Sequence, residues 1–196
     1  MGTNSGPQIA NIYLFIYEYD YIKALIESND EVKLKNLQNI FRFQDDLIAF
    51  NDQGLLIDII NDIYPTEMIV NNTNITTCKV NYLDLTVSIW RGSFLVKLYD
   101  KRKDYNFDVI SYPYLDGNIP SDRSYGVFIS QLMRFCKVNS NLNNFINDVK
   151  LLVDKLVKQG FNTAALRKKL FTFYHSKVNV WSKFGVDIYT QLSQLI

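Results

Sequence analysis

The sequence is poor in the residues on which rigid extracellular scaffolds and many catalytic centres depend. It has two cysteines, Cys78 and Cys136, too few for a disulfide framework and without the spacing of metal ligands. They read as small buried apolar groups in a reduced, intracellular compartment, nuclear or cytoplasmic. A single histidine, His175, excludes a histidine-based metal cage and argues against a Ser-His-Asp site. No apolar run approaches the roughly 20 residues of a membrane span, so no membrane partner is expected. The opening MGTNSGPQIA has neither the basic nor the apolar region of a signal peptide. There are no internal repeats and no linker rich in proline, glycine or serine.

What remains is an ordinary globular composition. The chain has 196 residues, 47% hydrophobic and 21% charged, enough for one large domain or two small ones. A chain of this size buries roughly 70% of the surface its unfolded form exposes. The net charge of +1 hides an asymmetry. Residues 1–100 hold 7 Lys and Arg against 13 Asp and Glu, and residues 101–196 hold 14 against 7. An acidic half joined to a basic half fits cation binding in one and polyanion binding in the other, or simple clustering on solvated faces.

Hydrophobic periodicity gives the elements. Residues 8–28 read as a helix, with Ile9, Tyr13, Ile16 or Tyr17, Ala24 and Leu25 on its inward side and Pro7 in its first turn. Residues 29–38 are a loop or short helix. Residues 39–50, NIFRFQDDLIAF, form a hairpin with Asp45 and Asp46 at or near the turn. Gln53–Ile63 reads as a helix stopped by Pro65. Residues 76–90 and 93–99 are two strands joined at Arg91-Gly92. The period then changes. Residues 101–120 are a loop, and Tyr125, Phe128, Ile129, Leu132, Met133 and Cys136 share one helical face. A second helix runs from Leu142 to Val157 with Gly160 as its C-cap, and a third, basic one from Thr163 to about Lys177. The class is therefore α+β, with a boundary near 100–120. The Asn-Xaa-Thr triplets at Asn71 and Asn74 read as loop.

Phe43-Gln44-Asp45-Asp46 carries the chemistry. Two adjacent carboxylates at a hairpin tip present hard oxygen ligands to Mg²⁺ or Mn²⁺, which take one or two carboxylates plus phosphate oxygens. A pair of such ions about 4 Å apart can activate a 3′-hydroxyl and stabilise a leaving pyrophosphate, and holding both requires a third carboxylate. Asp-Asp is also ordinary turn chemistry.

Four segments, in order, resemble reverse transcriptases of Penelope-like and related retroelements. MGTNSGPQIANIYL is similar to the block that opens the long palm helix, with Gly2, Pro7 and Ala10 at its fixed points. FRFQDDLIAF resembles the block carrying tyrosine-x-Asp-Asp, with Phe43 in place of tyrosine. Tyr82-Leu83-Asp84 with Tyr99-Asp100-Lys101-Arg102 resembles the segment after the palm. Asn118-Ile119-Pro120 through Arg134 to Gly160-Phe161 resembles the start of the thumb.

The resemblance implies a partial polymerase palm over 1–100 (long helix, Asp-Asp hairpin, small antiparallel sheet), a connector over 101–120 and a helical thumb over 121–196. It implies RNA-templated, Mg²⁺- or Mn²⁺-dependent addition of deoxynucleoside triphosphates to a DNA primer. Asp45 would be the direct metal ligand and Asp46 its partner. Gln44 would face the primer end, Phe43 would pack beneath the nucleotide, and Gly2 would let the backbone approach it. Lys101, Arg102, Arg134, Lys137, Lys168 and Lys169, with Lys150 and Arg167, would follow phosphates of the duplex, or else lie on solvated helix faces. The aromatics Tyr99, Tyr105, Phe107, Tyr112 and Tyr114 permit base stacking.

Two departures stand beside it. The family's other metal-binding aspartate lies on a strand before the palm helix, where this sequence starts, so the fingers and one carboxylate are expected to be missing and the chain alone to be inactive. The family's lysine after the post-hairpin helix has no match in Glu67–Thr77, and Lys79 lies nearby. A second expectation, from the basic half, is a non-enzymatic nucleic-acid-binding remnant or domesticated module; a third is an inert fossil of a mobile element.

Overall fold

A computed structural model describes residues 5–51, 54–107, 109–110, 112–184 and 188–196. The chain divides into two compact units, Met1–Thr73 and Asn74–Ile196.

The first unit opens with α1, Gly6–Glu27, whose Pro7 sits in the first turn, where the missing N–H costs nothing. Asn29, at φ +54, ends it, and Asp30 caps α2 (Glu31–Leu37) by accepting from the Lys33 amide at 3.1 Å. Then come β1 (Ile40–Phe43) and β2 (Asp46–Ala49), antiparallel, with Phe43 opposite Asp46. Gly54, at φ +87, leads into α3 (Leu55–Ile63). The expected start of that helix, Gln53, lies outside the described residues. Ile59, Ile63 and Tyr64 form a small core with Leu14, Tyr17, Tyr21, Leu37 and Leu47 around it.

This core covers little of α1. Only Leu25 is buried, while Ile9, Tyr13 and Ile16, expected to face inward, are exposed. The helix has apolar residues on every side, so no single stripe selects a buried face.

In the second unit the expected strand 76–90 is two strands. β3 (Lys79–Tyr82) pairs with β4 (Leu85–Trp90), and β4 with β5 (Ser93–Leu98), all antiparallel. The break falls at Leu83-Asp84, where Leu83 has φ +54 and the chain turns in two residues. At the next turn Arg91 and Gly92 have φ +49 and +76, the backbone a two-residue hairpin needs. A 3-10 turn covers Lys101–Asp104. The helices are α4 (Ser121–Ser124), α5 (Gly126–Val138), α6 (Leu142–Lys158), α7 (Thr163–Ser176), α8 (Val178–Trp181) and α9 (Tyr189–Gln194).

The periodic positions of α5, α6 and α7 meet in one core that includes Phe128, Leu132, Phe145, Leu156 and Leu170. Gly160, at φ +88, closes α6 in a Schellman arrangement: the Phe161 amide donates to the Leu156 carbonyl and the Gly160 amide to Val157. Trp181, Ile188 and Leu192, beyond the last expected helix, complete this core.

The sheet of β3–β5 belongs with the helices. The Ser140 amide donates to the Val96 carbonyl at 2.9 Å, and the Val96 amide donates to Ser140 Oγ at 2.6 Å. Those bonds tie an edge strand to the α5–α6 connection, so the compact units part at 73/74, whereas the sequence suggested a boundary at 100–120. The charge asymmetry follows these units more closely still: four Lys and Arg against eleven Asp and Glu in the first, seventeen against nine in the second.

Candidate metal hairpin and nucleic-acid-facing residues

The hairpin of β1 and β2 turns through Gln44 and Asp45 alone. Gln44 holds φ +55, a left-handed conformation that costs a non-glycine residue about 1 kcal/mol. Asp45 is the second turn residue and Asp46 the first of β2, and both are exposed. Alternation along the strands sets the faces. Phe43 and Asp46 are opposite each other on one face, continued by Phe41 and Ile48; Arg42 and Leu47 are on the other. Phe43 is 53% exposed, so its ring presents an open apolar surface beside the acids.

Arg42 fixes this turn to α1. Its Nε donates to Glu18 Oε1 at 2.5 Å and its second terminal nitrogen to Glu18 Oε2 at 3.1 Å, the two-pronged pairing a guanidinium and a carboxylate favour. Its first terminal nitrogen donates to Asn11 Oδ1 at 2.8 Å and to the Gln44 carbonyl at 3.0 Å. The Tyr64 hydroxyl donates to Glu18 Oε1 at 2.6 Å. One guanidinium thus joins the helix to the turn that carries Asp45. The Glu18 hydrogen bond raises the Arg42 pKa further, and burial, then Glu18, raises that of Tyr64, so both keep their protons at neutral pH. Sequence reading missed Arg42, Glu18 and Tyr64. The available signal was an arginine between two phenylalanines in a strand, which needs an anionic partner if its face is covered.

The donor set at the turn consists only of hard carboxylate oxygens, which suits Mg²⁺ or Mn²⁺ and not zinc. Asp45 and Asp46 would hold such an ion through one or two of its six positions, leaving the rest to water, phosphate oxygens and another carboxylate. Among the described residues no group of three or more His, Cys, Asp or Glu is placed to hold a metal. Gly2 lies outside the described residues.

The other expected contacts lie in the second unit. Lys101 is exposed on the 3-10 turn. Arg102 is drawn onto Asp100, donating from Nε at 2.7 Å and from a terminal nitrogen at 3.0 Å, and this holds the Asp100 carboxyl below its usual range. Arg134 pairs with Asp84 at 2.5 Å at an exposed position. Arg102 and Arg134 line one cavity with Tyr99, Tyr105, Phe107 and Tyr112. Lys137, Lys150, Arg167, Lys168 and Lys169 are exposed on α5, α6 and α7 and do not line it. His175 packs against Phe171 with ring centroids 4.3 Å apart. Cys136 is buried, its thiol pKa raised by burial, whereas Cys78 is exposed, contrary to expectation, because it lies just before β3 in a stretch without a covering element.

Comparison with protein-family models, curated proteins and solved structures finds no match to this chain. Among the described residues no helix is long and apolar enough to cross a membrane.

Proposed function

We propose that this chain is part of an RNA-directed DNA polymerase, in which Asp45 and Asp46 bind the divalent cations that carry nucleotidyl transfer from deoxynucleoside triphosphates to a primer. The observation that supports this best is the turn itself. Two consecutive aspartates, Asp45 in a two-residue turn and Asp46 at the start of β2, are both exposed at the tip of a hairpin that Arg42 braces to a 22-residue helix. The resemblance to palm and thumb segments supports the same reading, with the first unit in the role of palm and α5–α7 in that of thumb. Asp45 and Asp46 would be two of the three carboxylates the chemistry needs.

The test is primer extension on an RNA template by this chain together with the in-frame coding sequence upstream of Met1. The expected result is templated synthesis that Asp45→Asn abolishes, with none from the 196 residues alone. Synthesis indifferent to Asp45→Asn, or an upstream frame without an aspartate-bearing strand, overturns the reading.

A second reading is favoured by the charge of the second unit and the exposed Arg167, Lys168 and Lys169 on α7: a nucleic-acid-binding module without polymerase activity. It requires salt-sensitive binding that survives Asp45→Asn and weakens in Lys168→Gln/Lys169→Gln.

A further inference from the structure

The second unit contains a cavity of about 480 Å³, in the size range of single-ligand sites. Two helical faces form one side. Gln131, Arg134 and Phe135 recur at helical spacing on α5; Asp148, Leu151, Leu152 and Lys155 do so on α6. The end of β5, the 3-10 turn and the segment after it form the other side.

Among the described residues the lining holds four cations, Arg102, Lys103, Arg134 and Lys155, against Asp100 and Asp148, and Arg134 is paired with Asp84 outside it. The two carboxylates are already engaged. Asp100 is held by Arg102, and Asp148 accepts from Asn139 Nδ2 at 2.9 Å. Among the described residues, neither Lys103 nor Lys155 forms a salt bridge with a carboxylate. Lys103 acts on Asp148 and Lys155 on Asp100 through their fields alone, which leaves both ammonium groups with donors to offer an anion. The rim is aromatic. Tyr105 and Phe107 are 52% and 63% exposed, with ring centroids 5.4 Å apart. The floor, from Leu98, Phe135 and Leu152, is apolar.

Such a site suits a ligand with a flat ring at one end and concentrated negative charge at the other. Exposed aromatic rings stack on bases, and ammonium and guanidinium groups take phosphate oxygens. We propose that this cavity binds a nucleoside phosphate, its phosphate against Lys103 and Lys155 and its base against Tyr105 and Phe107. The ligand is either a free nucleotide or one nucleotide of a strand, two sources of one chemistry. The proposal does not depend on the Asp45–Asp46 hairpin, which lies in the other unit.

Isothermal titration of the full chain with adenosine 5′-monophosphate, adenosine and inorganic phosphate tests it. The nucleotide is expected to saturate one site, with adenosine and phosphate each at least about tenfold weaker, because each makes half of the contacts. Lys155→Gln and Lys103→Gln are each expected to weaken the nucleotide about fivefold or more. Phe107→Ala is expected to weaken the nucleotide while leaving phosphate binding unchanged. Phe107 and Lys103 are exposed, so these variants fold. Asp45→Asn is expected to leave all three titrations as they were, which separates failure here from failure of the metal hairpin. Competition by a short oligodeoxyadenylate would identify a strand nucleotide as the ligand, and lack of competition a free one; both support the site. Phosphate binding as tight as the nucleotide, no saturation at millimolar nucleotide, or titrations unchanged in Lys155→Gln and Phe107→Ala would overturn it.

Discussion

Replacing Arg42 by methionine should loosen the Asp45–Asp46 turn without unfolding the chain. Methionine keeps the apolar stem, so the change isolates the guanidinium. The lost contacts are the two-pronged pairing with Glu18, the bond to Asn11 and the bond to the Gln44 carbonyl. Truncating a fully buried ion pair costs about 3–5 kcal/mol, and an exposed pair contributes under about 1. The Arg42 and Glu18 side chains are 14% and 24% exposed, between those limits, so about 2 kcal/mol is expected. The first unit contains no tryptophan, and its 73 residues imply a stability of only about 4–10 kcal/mol, so a global melt is a poor probe. Native-state amide hydrogen exchange reads the hairpin directly. A loss of 2 kcal/mol accelerates exchange of the β1–β2 amides about 30-fold, while amides of α6 in the other unit keep their rates. Glu18→Met should give a similar change, and the double variant less than the sum of the two, because both remove the Arg42–Glu18 pairing. Acceleration below about threefold in the hairpin, or equal acceleration in α6, would refute the view that Arg42 braces this turn.

Gln44→Gly should relieve the left-handed strain and slow hairpin exchange a few-fold, worth up to about 1 kcal/mol; exchange faster than wild type would show that the Gln44 side chain holds the turn. Phe145→Ala removes a fully buried ring packed on Trp181 and Phe184, and should lower the second unit's stability by about 3–5 kcal/mol, followed by Trp181 fluorescence in urea. Burial raises the Asp148 carboxyl above its unfolded value of 3.8 despite the Asn139 hydrogen bond. The folded state therefore holds that proton more tightly, and the group's contribution to stability falls as pH rises through the folded pKa. Asp148→Asn should accordingly be more stable than wild type at pH 7, with the gain shrinking as pH is lowered toward 3.8; a gain independent of pH would contradict this.

Legibility followed locality. The hairpin was readable because NIFRFQDDLIAF has two apolar stretches around paired acids, and α5–α7 because their core positions repeat every three to four residues. The break at Leu83-Asp84 was not readable, since leucine carries no turn signal and sits in a β-rich run; register with β4 imposes its positive φ. α1 was read as a helix but not for its burial, because apolar residues on every side give no stripe. The helices after Lys177 carry too few residues each to show a period. Arg42 and Glu18 lie 24 residues apart and Tyr64 lies 46 from Glu18, so only the fold brings that network together. The cavity likewise joins residues from Leu98 to Lys155 whose types were noted singly and whose convergence was not.

The most direct test of the central claim is Mn²⁺ titration of the isotopically labelled chain, read by paramagnetic broadening of its amide signals. Asp45 and Asp46 as cation ligands require broadening centred on Phe43–Leu47, displaced by Mg²⁺ and lost in Asp45→Asn/Asp46→Asn with the rest of the spectrum intact. Broadening spread over the acidic surface of the first unit, unchanged in that double variant, would contradict a metal site at the turn and leave the hairpin as a chain reversal only.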